Sequence, residues 1–281
     1  MSDPGERLEW TGFTSHLSSR ARADGVLVAE CLPGRGSRPF GGHLVAQALL
    51  EVLDNSQAGM EPLSLHAHFL SAGDAREPVE YFVESLRTGR SFEHWIVRVT
   101  QRERLLAHIT VVLHVPEASP QHQVAPRRLG NPDSLPDVTL SPREGTRRVI
   151  RSGLEIRQGW RWTADSGHAV PFQDTWYRCK EILPPWWGPV ILAWCSDLEL
   201  AWTVDLPYRQ NVRSRAAASL DHTIHFHRSF DPGGWFCYEQ ESPCLVNGRG
   251  LVTGRIFSAA GELVASISQH TLLRLQFEYS E

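Results

Sequence analysis

The sequence contains no apolar run that approaches the roughly 20 residues needed to cross a lipid bilayer. Its first 30 residues are polar and charged, without the basic start and apolar centre of a secretory signal. The final tetrapeptide, EYSE, is not a peroxisomal address. These absences predict a cytoplasmic protein without a membrane span.

Cysteine is scarce, and basic residues are not in excess. The five cysteines form no C-x-x-C pair, which favours reduced thiols over a disulfide framework. Lys and Arg number 28 against 32 Asp and Glu, which gives a formal charge of −4. Since nucleic-acid-binding domains carry basic patches, nucleic acid is not an expected partner.

Several catalytic motifs are also missing. The sequence lacks G-x-S-x-G, the P-loop pattern and a G-x-G-x-x-G that follows a strand. Three nearby histidines invite a metal site, but on a strand His222 points away from His225 and His227, so no complete ligand set converges. Neither a metal nor a cofactor is expected.

The chain divides into two similar halves. Prolines punctuate residues 116–146, which indicates a linker between an N-terminal repeat, 1–115, and a C-terminal repeat, 147–281. The halves share an ordered signature at a constant spacing of 157 residues: Phe69, Tyr81 and Glu84 match Phe226, Tyr238 and Glu241. We therefore expect a tandem duplication.

Each half is predicted to contain one long helix followed by strands. An apolar stripe from Leu44 to Leu53 predicts a helix in the first half, and the segment from Pro189 to Leu206, apolar nearly all round, predicts a buried helix in the second. Strand-like stretches separated by turn residues follow both helices. The predicted class is α+β, with an antiparallel sheet wrapped around a helix in each repeat.

Three polar residues lie where a core is expected. Asp197 falls inside the predicted apolar helix, and burying a lone carboxylate costs several kcal/mol. Gln269 follows a strand-like run where the first half has Val111, at an offset of 158 residues in this block. Ser219 lies two residues before Asp221, at the start of the first strand after the second helix. Taken singly, each residue also fits a helix cap, a strand-end amide or a surface serine.

Six blocks of sequence resemble the acyl-CoA thioesterase II family, and they occur in the family's order between about residues 38 and 272. The blocks are FGGHLVAQAL from Phe40, HAHFL from His66, RTGRSF from Arg87, SDL from Ser196, LDHTIHFHR from Leu220, and VASISQ from Val264.

This resemblance implies a double hotdog fold, in which the two sheets join into one. It also implies hydrolysis of acyl-CoA to a free acid and CoA, with Asp197, Ser219 and Gln269 holding the attacking water. Candidate substrate-binding residues are Gly41 and Gly42 at a helix start, His43 (where many members have Gln), His66 (which matches a family histidine), and Arg90 and Arg228 as contacts for CoA.

Two other functions remain open on the sequence. A hotdog hydratase or dehydratase needs a His/Asp or His/Glu proton-transfer pair, for which His43, His66 or His68 is available. A non-catalytic acyl-CoA-binding protein is the other alternative, since a fold does not fix a function. Hotdog proteins usually associate, so a homo-oligomer is expected.

Overall fold

The computed structural model describes residues 14–32, 34, 37–138, 153–163, 170–208 and 212–277. Residues 1–13 of the first predicted repeat, 139–146 of the predicted linker and the C-terminal 278–281 lie outside the described residues. The first half contains, in chain order, β1 Ser19–Ala21, β2 Leu27–Ala29, α1 Gly41–Asn55, β3 Glu61–Phe69, β4 Val79–Thr88, β5 Phe92–Gln101 and β6 Arg104–His114. The second half contains β7 Leu154–Arg161, β8 Phe172–Cys179, α2 Gly188–Ser196, α3 Leu200–Thr203, β9 Val212–Ser219, β10 Asp221–Phe226, β11 Phe236–Val246, β12 Arg249–Ser258 and β13 Leu263–Phe277.

The described strands form one antiparallel sheet whose order repeats about its centre. The order is β1-β2-β4-β5-β6-β3-β10-β13-β12-β11-β8-β7, with β9 paired to the far part of β13. The order β4-β5-β6-β3 in the first half is therefore the mirror image of the order β10-β13-β12-β11 in the second. The two halves meet at β3 and β10, where His66 pairs with Thr223. This topology confirms the predicted double hotdog architecture.

Alternation along the two central strands decides which side chains face the helices. On β3, Leu65 and Ala67 are buried while His66 between them is half-buried. On β10, His222 and Ile224 are buried while His225 is exposed. Because successive strand residues point to opposite faces, the buried set lines the inner face of the sheet.

The two long helices pack against each other inside this sheet. Trp194 of α2 is fully buried, and its ring lies edge-on to Phe40 at 5.3 Å and to His43 at 5.1 Å between ring centroids. Edge-to-face aromatic pairs at such distances stabilise a core beyond the burial of area alone. The start of α1 is thereby fixed against the last turn of α2.

The prediction of one continuous helix from Pro189 to Leu206 is wrong. The segment divides into α2 and the single-turn α3, because Glu199 adopts a left-handed backbone with φ 61°. Asp197, predicted inside the helix, instead directly follows α2. An all-apolar sequence indicates burial, but it does not reveal where a helix is interrupted.

Five strands were not predicted from the sequence. Strands β1 and β2 have three residues each, too few to show a period. Strand β8 is buried along nearly its whole length and contains Gln173, Asp174 and Thr175, so it shows no apolar alternation. The remaining two are β7 and β9.

The proline-rich stretch runs along the second half of the sheet. Residues 116–138 contain no α-helix and no strand. Gln123 Nε2 donates to the carbonyl of Gly261 at 2.8 Å, and the Arg127 N–H donates to Glu239 Oε1 at 2.6 Å. The division into repeats at 115 and 147 stays a prediction. None of the helices in the described part of the chain has the length and apolar character of a transmembrane segment.

We predict that Gly42→Ala lowers the free energy of unfolding by about 1–3 kcal/mol, the usual cost of overpacking a core. A Cβ at Gly42 would lie 2.5 Å from the carbonyl oxygen of Trp194 and 2.6 Å from the ring of Phe40. Urea unfolding measures the change. Gly130→Ala is the control, since a Cβ there meets open space; equal stability of the two variants would contradict the prediction.

Candidate active site

A cavity of about 310 Å³ opens where the start of α1 meets the region after α2 and the end of β9. The polar side chains in its lining are Arg38, Ser71, Asp197, Glu199 and Ser219. The rest of the lining is largely apolar and includes Phe40, Leu44, Phe69, Leu106, Leu198 and Trp202. A concave, mostly apolar site with few convergent polar groups is typical of small-molecule pockets.

The Asp197 carboxylate is bound by both halves of the chain. Its Oδ2 accepts the backbone N–H of Gly42, in the first turn of α1, at 3.0 Å. Its Oδ1 accepts the Ser219 hydroxyl at 3.4 Å, the long end of the hydrogen-bond range. Glycine is required beside it, because a Cβ at Gly41 would lie 2.8 Å from Oδ2.

Burial governs the protonation of Asp197. The side chain keeps part of its surface open to the cavity and is otherwise enclosed by protein. Desolvation raises the pKa of Asp197 from 3.8 to about 7, although the hydrogen bonds from Gly42 and Ser219 act in the opposite direction. The carboxyl therefore titrates near neutral pH, as a general base requires.

Gln269 also faces the interior of the protein, but its hydrogen-bond partners differ from those of Asp197. It is fully buried, its Oε1 lies 2.7 Å from His222 Nδ1, and its Nε2 donates to Thr271 Oγ1 at 3.1 Å. Thr271 is the cross-strand partner of Ser219. No hydrogen bond between the described residues joins Gln269 directly to Asp197 or Ser219.

A buried polar cluster behind Gln269 was missed by the sequence analysis. His222 Nε2 lies 2.7 Å from Ser196 Oγ, and the Tyr238 hydroxyl donates to the Ser196 carbonyl at 2.6 Å. All three residues are fully buried. The available signal was positional: His222, like Gln269, occupies a core position of a central strand.

Family models match both halves of the chain. Residues 28–114 match the model described as the acyl-CoA thioesterase N-terminal domain, and residues 145–272 match the acyl-CoA thioesterase model. Acyl-CoA thioesterase 2 of Haemophilus influenzae is 30% identical over 249 residues, which cover 84% of this chain and 87% of that protein. The chain belongs to the acyl-CoA thioesterase II family.

Other relatives agree with this assignment. Acyl-coenzyme A thioesterase 8 of Mus musculus is 30% identical over 266 residues, covering 87% of this chain and 82% of that protein. The crystal structure of an acyl-CoA thioesterase II from Mycobacterium marinum superposes with a TM-score of 0.80 at 29% identity, covering 95% of this chain and all of that one. The chain is thus an acyl-CoA thioester hydrolase, as the sequence predicted.

Two of the predicted substrate-binding histidines do not line the cavity of this thioesterase. His43 is a fully buried residue of α1, where its Nε2 lies 2.9 Å from the carbonyl oxygen of Glu30, and burial lowers its pKa to about 4. His66 alternates with the buried Leu65 and Ala67, so it lies on the outer face of the sheet. The position of each residue within its helix or strand therefore turns its side chain away from the cavity.

The two predicted arginine contacts also lie away from the cavity. Arg90 is exposed in the turn between β4 and β5. The guanidinium of Arg228 donates to the carbonyl of Leu263 at 2.8 Å and to Gln121 at 3.3 Å. Among the described residues that line the cavity, Arg38 alone is basic, and the sequence analysis did not identify it.

We predict that Asp197→Asn stabilises the fold at pH 8 by roughly 1–3 kcal/mol and has little effect near pH 4. A carboxyl with a raised pKa binds its proton more tightly when folded, so its contribution to stability falls as pH rises from 3.8 to about 7. Urea unfolding at the two pH values measures this difference. A variant that is less stable than the native protein at pH 8 would contradict the prediction.

Proposed function

We propose that this thioesterase hydrolyses acyl-CoA with Asp197 as a general base that activates a water molecule. The observation that carries the proposal is a carboxyl group in the wall of the cavity with a pKa of about 7. A thioester carbonyl is electrophilic enough for a positioned water, so the reaction requires no covalent enzyme nucleophile.

The reaction has two steps. The water oxygen attacks the thioester carbonyl while Asp197 takes one of the water's protons, which gives a tetrahedral intermediate. The intermediate then collapses, its C–S bond breaks, and the CoA sulfur leaves as a thiol with the proton held by Asp197. The products are the fatty acid and CoA, and the carboxylate is restored.

Ser219 and Gln269 complete the proposed water site. The Ser219 hydroxyl at 3.4 Å orients the Oδ1 atom of Asp197, and the Gly42 N–H at 3.0 Å orients Oδ2. Gln269 Nε2 donates to Thr271, which is the cross-strand partner of Ser219. Positioning of a reactant in this way contributes several kcal/mol to rate enhancement in general.

The substrate's two parts have different chemistry, and the lining matches both. The apolar side chains suit the acyl chain, and the exposed Arg38 suits an anionic phosphate of CoA. Gly41 and Gly42 take part because they have no side chain: Gly41 lets the Asp197 carboxylate approach the first turn of α1, and Gly42 lets the Trp194 carbonyl approach it.

The alternative functions have less support. A hydratase needs a histidine beside its carboxylate, and none of the described residues that line the cavity is a histidine. A non-catalytic binding protein does not fit a chain that belongs to the acyl-CoA thioesterase II family.

Three further expectations belong to this proposal, on nucleic-acid binding, oligomeric state and cellular location. A formal charge of −4 argues against binding to nucleic acid. The fully exposed Ile182 and the half-exposed Trp186 favour self-association into a homo-oligomer. A cytoplasmic location stays a prediction.

We predict that Asp197→Asn lowers kcat by about 10²–10⁴-fold, the usual contribution of general base catalysis. Free-thiol release from acyl-CoA measures the rate. In the native protein kcat/KM should rise with pH about a midpoint near 7, because only the carboxylate accepts a proton. Asp133→Asn, at an exposed position, is the control; a folded Asp197→Asn variant with native turnover would refute the proposed role.

We predict that Ala201→Phe raises KM for long acyl chains more than for short ones. Ala201 lines the cavity beside Trp202, and a phenyl ring there fills space that the acyl chain needs. Arg38→Gln should instead raise KM by a similar factor at every chain length, since all substrates share CoA. A panel of acyl-CoAs of increasing length separates the two patterns, and a uniform effect of Ala201→Phe would count against the proposed acyl site.

A further inference from the structure

His222 is a buried polar residue at a position that the fold itself fills with an apolar one. At the spacing of 157 residues that relates the two halves, His222 corresponds to Leu65 of the first half. Leu65 pairs across the strands with Val111, the residue that the sequence analysis matched to Gln269. The first half thus builds the same place of the sheet from Leu and Val, where the second half has His and Gln.

The contacts of His222 form a chain of hydrogen bonds. Its Nδ1 lies 2.7 Å from Gln269 Oε1, and its Nε2 lies 2.7 Å from Ser196 Oγ. Gln269 Nε2 continues the chain to Thr271 Oγ1 at 3.1 Å. Thr271 pairs across the strands with Ser219, whose hydroxyl donates to Asp197.

The charge state of the His222 ring determines which groups donate and which accept in this series of hydrogen bonds. Burial lowers the pKa of His222 to about 4, and the nearby His66 on β3 acts in the same direction. The hydrogen bond with Gln269 and the charge of Asp221 act against it but are smaller effects, so the ring is neutral at pH 7. A neutral imidazole has one donor and one acceptor nitrogen. An amide oxygen only accepts, so Nδ1 carries the hydrogen and Nε2 accepts from the Ser196 hydroxyl.

With that tautomer the hydrogen bonds from Ser196 to Thr271 all donate in the same direction. Ser196 donates to His222, His222 to Gln269, and Gln269 to Thr271, which lies opposite Ser219. Hydrogen bonds that run in one direction polarise and strengthen one another. The Ser196 hydroxyl also lies 2.8 Å from the Ala193 carbonyl. If it donates there, His222 carries its hydrogen on Nε2, and the Gln269 amide must be rotated so that its nitrogen faces Nδ1.

We infer that His222 is a positioning residue for hydrolysis, which as the Nδ1–H tautomer holds the Gln269 amide with its nitrogen toward Thr271 and the Asp197 side of the sheet. This inference rests on the proposed role of Gln269. Because His222 contacts neither the cavity nor Asp197, it acts through the amide and not on the substrate.

The first test is kinetic and compares two replacements of His222. His222→Leu, which introduces the first half's residue, should lower kcat by about 10–100-fold with little change in KM, since misplacement of about 1 Å costs such factors. His222→Asn keeps an N–H donor toward Gln269 Oε1 and should recover most of that loss. The matched controls are His225→Leu and His225→Asn, on the exposed face of the same strand, which should leave kcat unchanged.

A double variant separates this inference from the proposed function. If His222 acts through Gln269, His222→Leu with Gln269→Ala is no slower than Gln269→Ala alone. Additive losses, or native kcat in His222→Leu, overturn the positioning role. If Gln269→Ala keeps native activity while Asp197→Asn does not, the proposed role of Gln269 is wrong, and the inference is wrong with it.

The second test needs no variant to be active. Long-range ¹H–¹⁵N correlation spectra of the full chain labelled at histidine distinguish the two neutral tautomers, and the His222 signals are those missing from His222→Asn. The expected result is a hydrogen on Nδ1 that persists across pH 6–8. A hydrogen on Nε2, or a ring that is charged in this range, overturns the inference.

Discussion

The contact between the Asp197 carboxylate and the first turn of α1 is the constraint on which the site depends. It brings an anion to the positive end of a helix dipole, and it joins the end of α2 to the start of α1. Glycine at 41 and 42 permits this approach, because a side chain at either position would collide with Asp197 or with Trp194. Aromatic packing of Trp194 against Phe40 keeps the two helices in that relation.

The two halves of the duplicated fold contribute different residues to the site. The first half supplies a helix start with small residues, and the second supplies the carboxylate, the serine and the polar cluster around Gln269. Joining β3 to β10 in one sheet brings both contributions to the same inner face. The two similar folds differ at this place in the sheet, because the positions that hold Leu65 and Val111 in the first half hold the hydrogen-bonding His222 and Gln269 in the second.

Stability and activity make opposite demands at Asp197. Burial raises its pKa to about 7, which makes it a useful base at neutral pH but destabilises the charged form in the fold. The neighbouring polar groups avoid such a cost, since Gln269, Thr271, His222 and Ser196 bond to one another. The charged form of Asp197, the proposed base, is therefore an energetic cost of the site.

The sequence by itself determined the duplication, the α+β class and the family, because these follow from ordered motifs and from apolar periods along the chain. It also singled out Asp197, Ser219 and Gln269 as polar residues at core positions. Only the tertiary structure decided that α2 ends before Asp197, that His43 and His66 face away from the cavity, and that Arg38 lines it. Those outcomes depend on a left-handed residue at Glu199 and on which face each strand turns inward. Both are set by how the helices and strands pack in three dimensions, which residue order along the chain does not specify by itself.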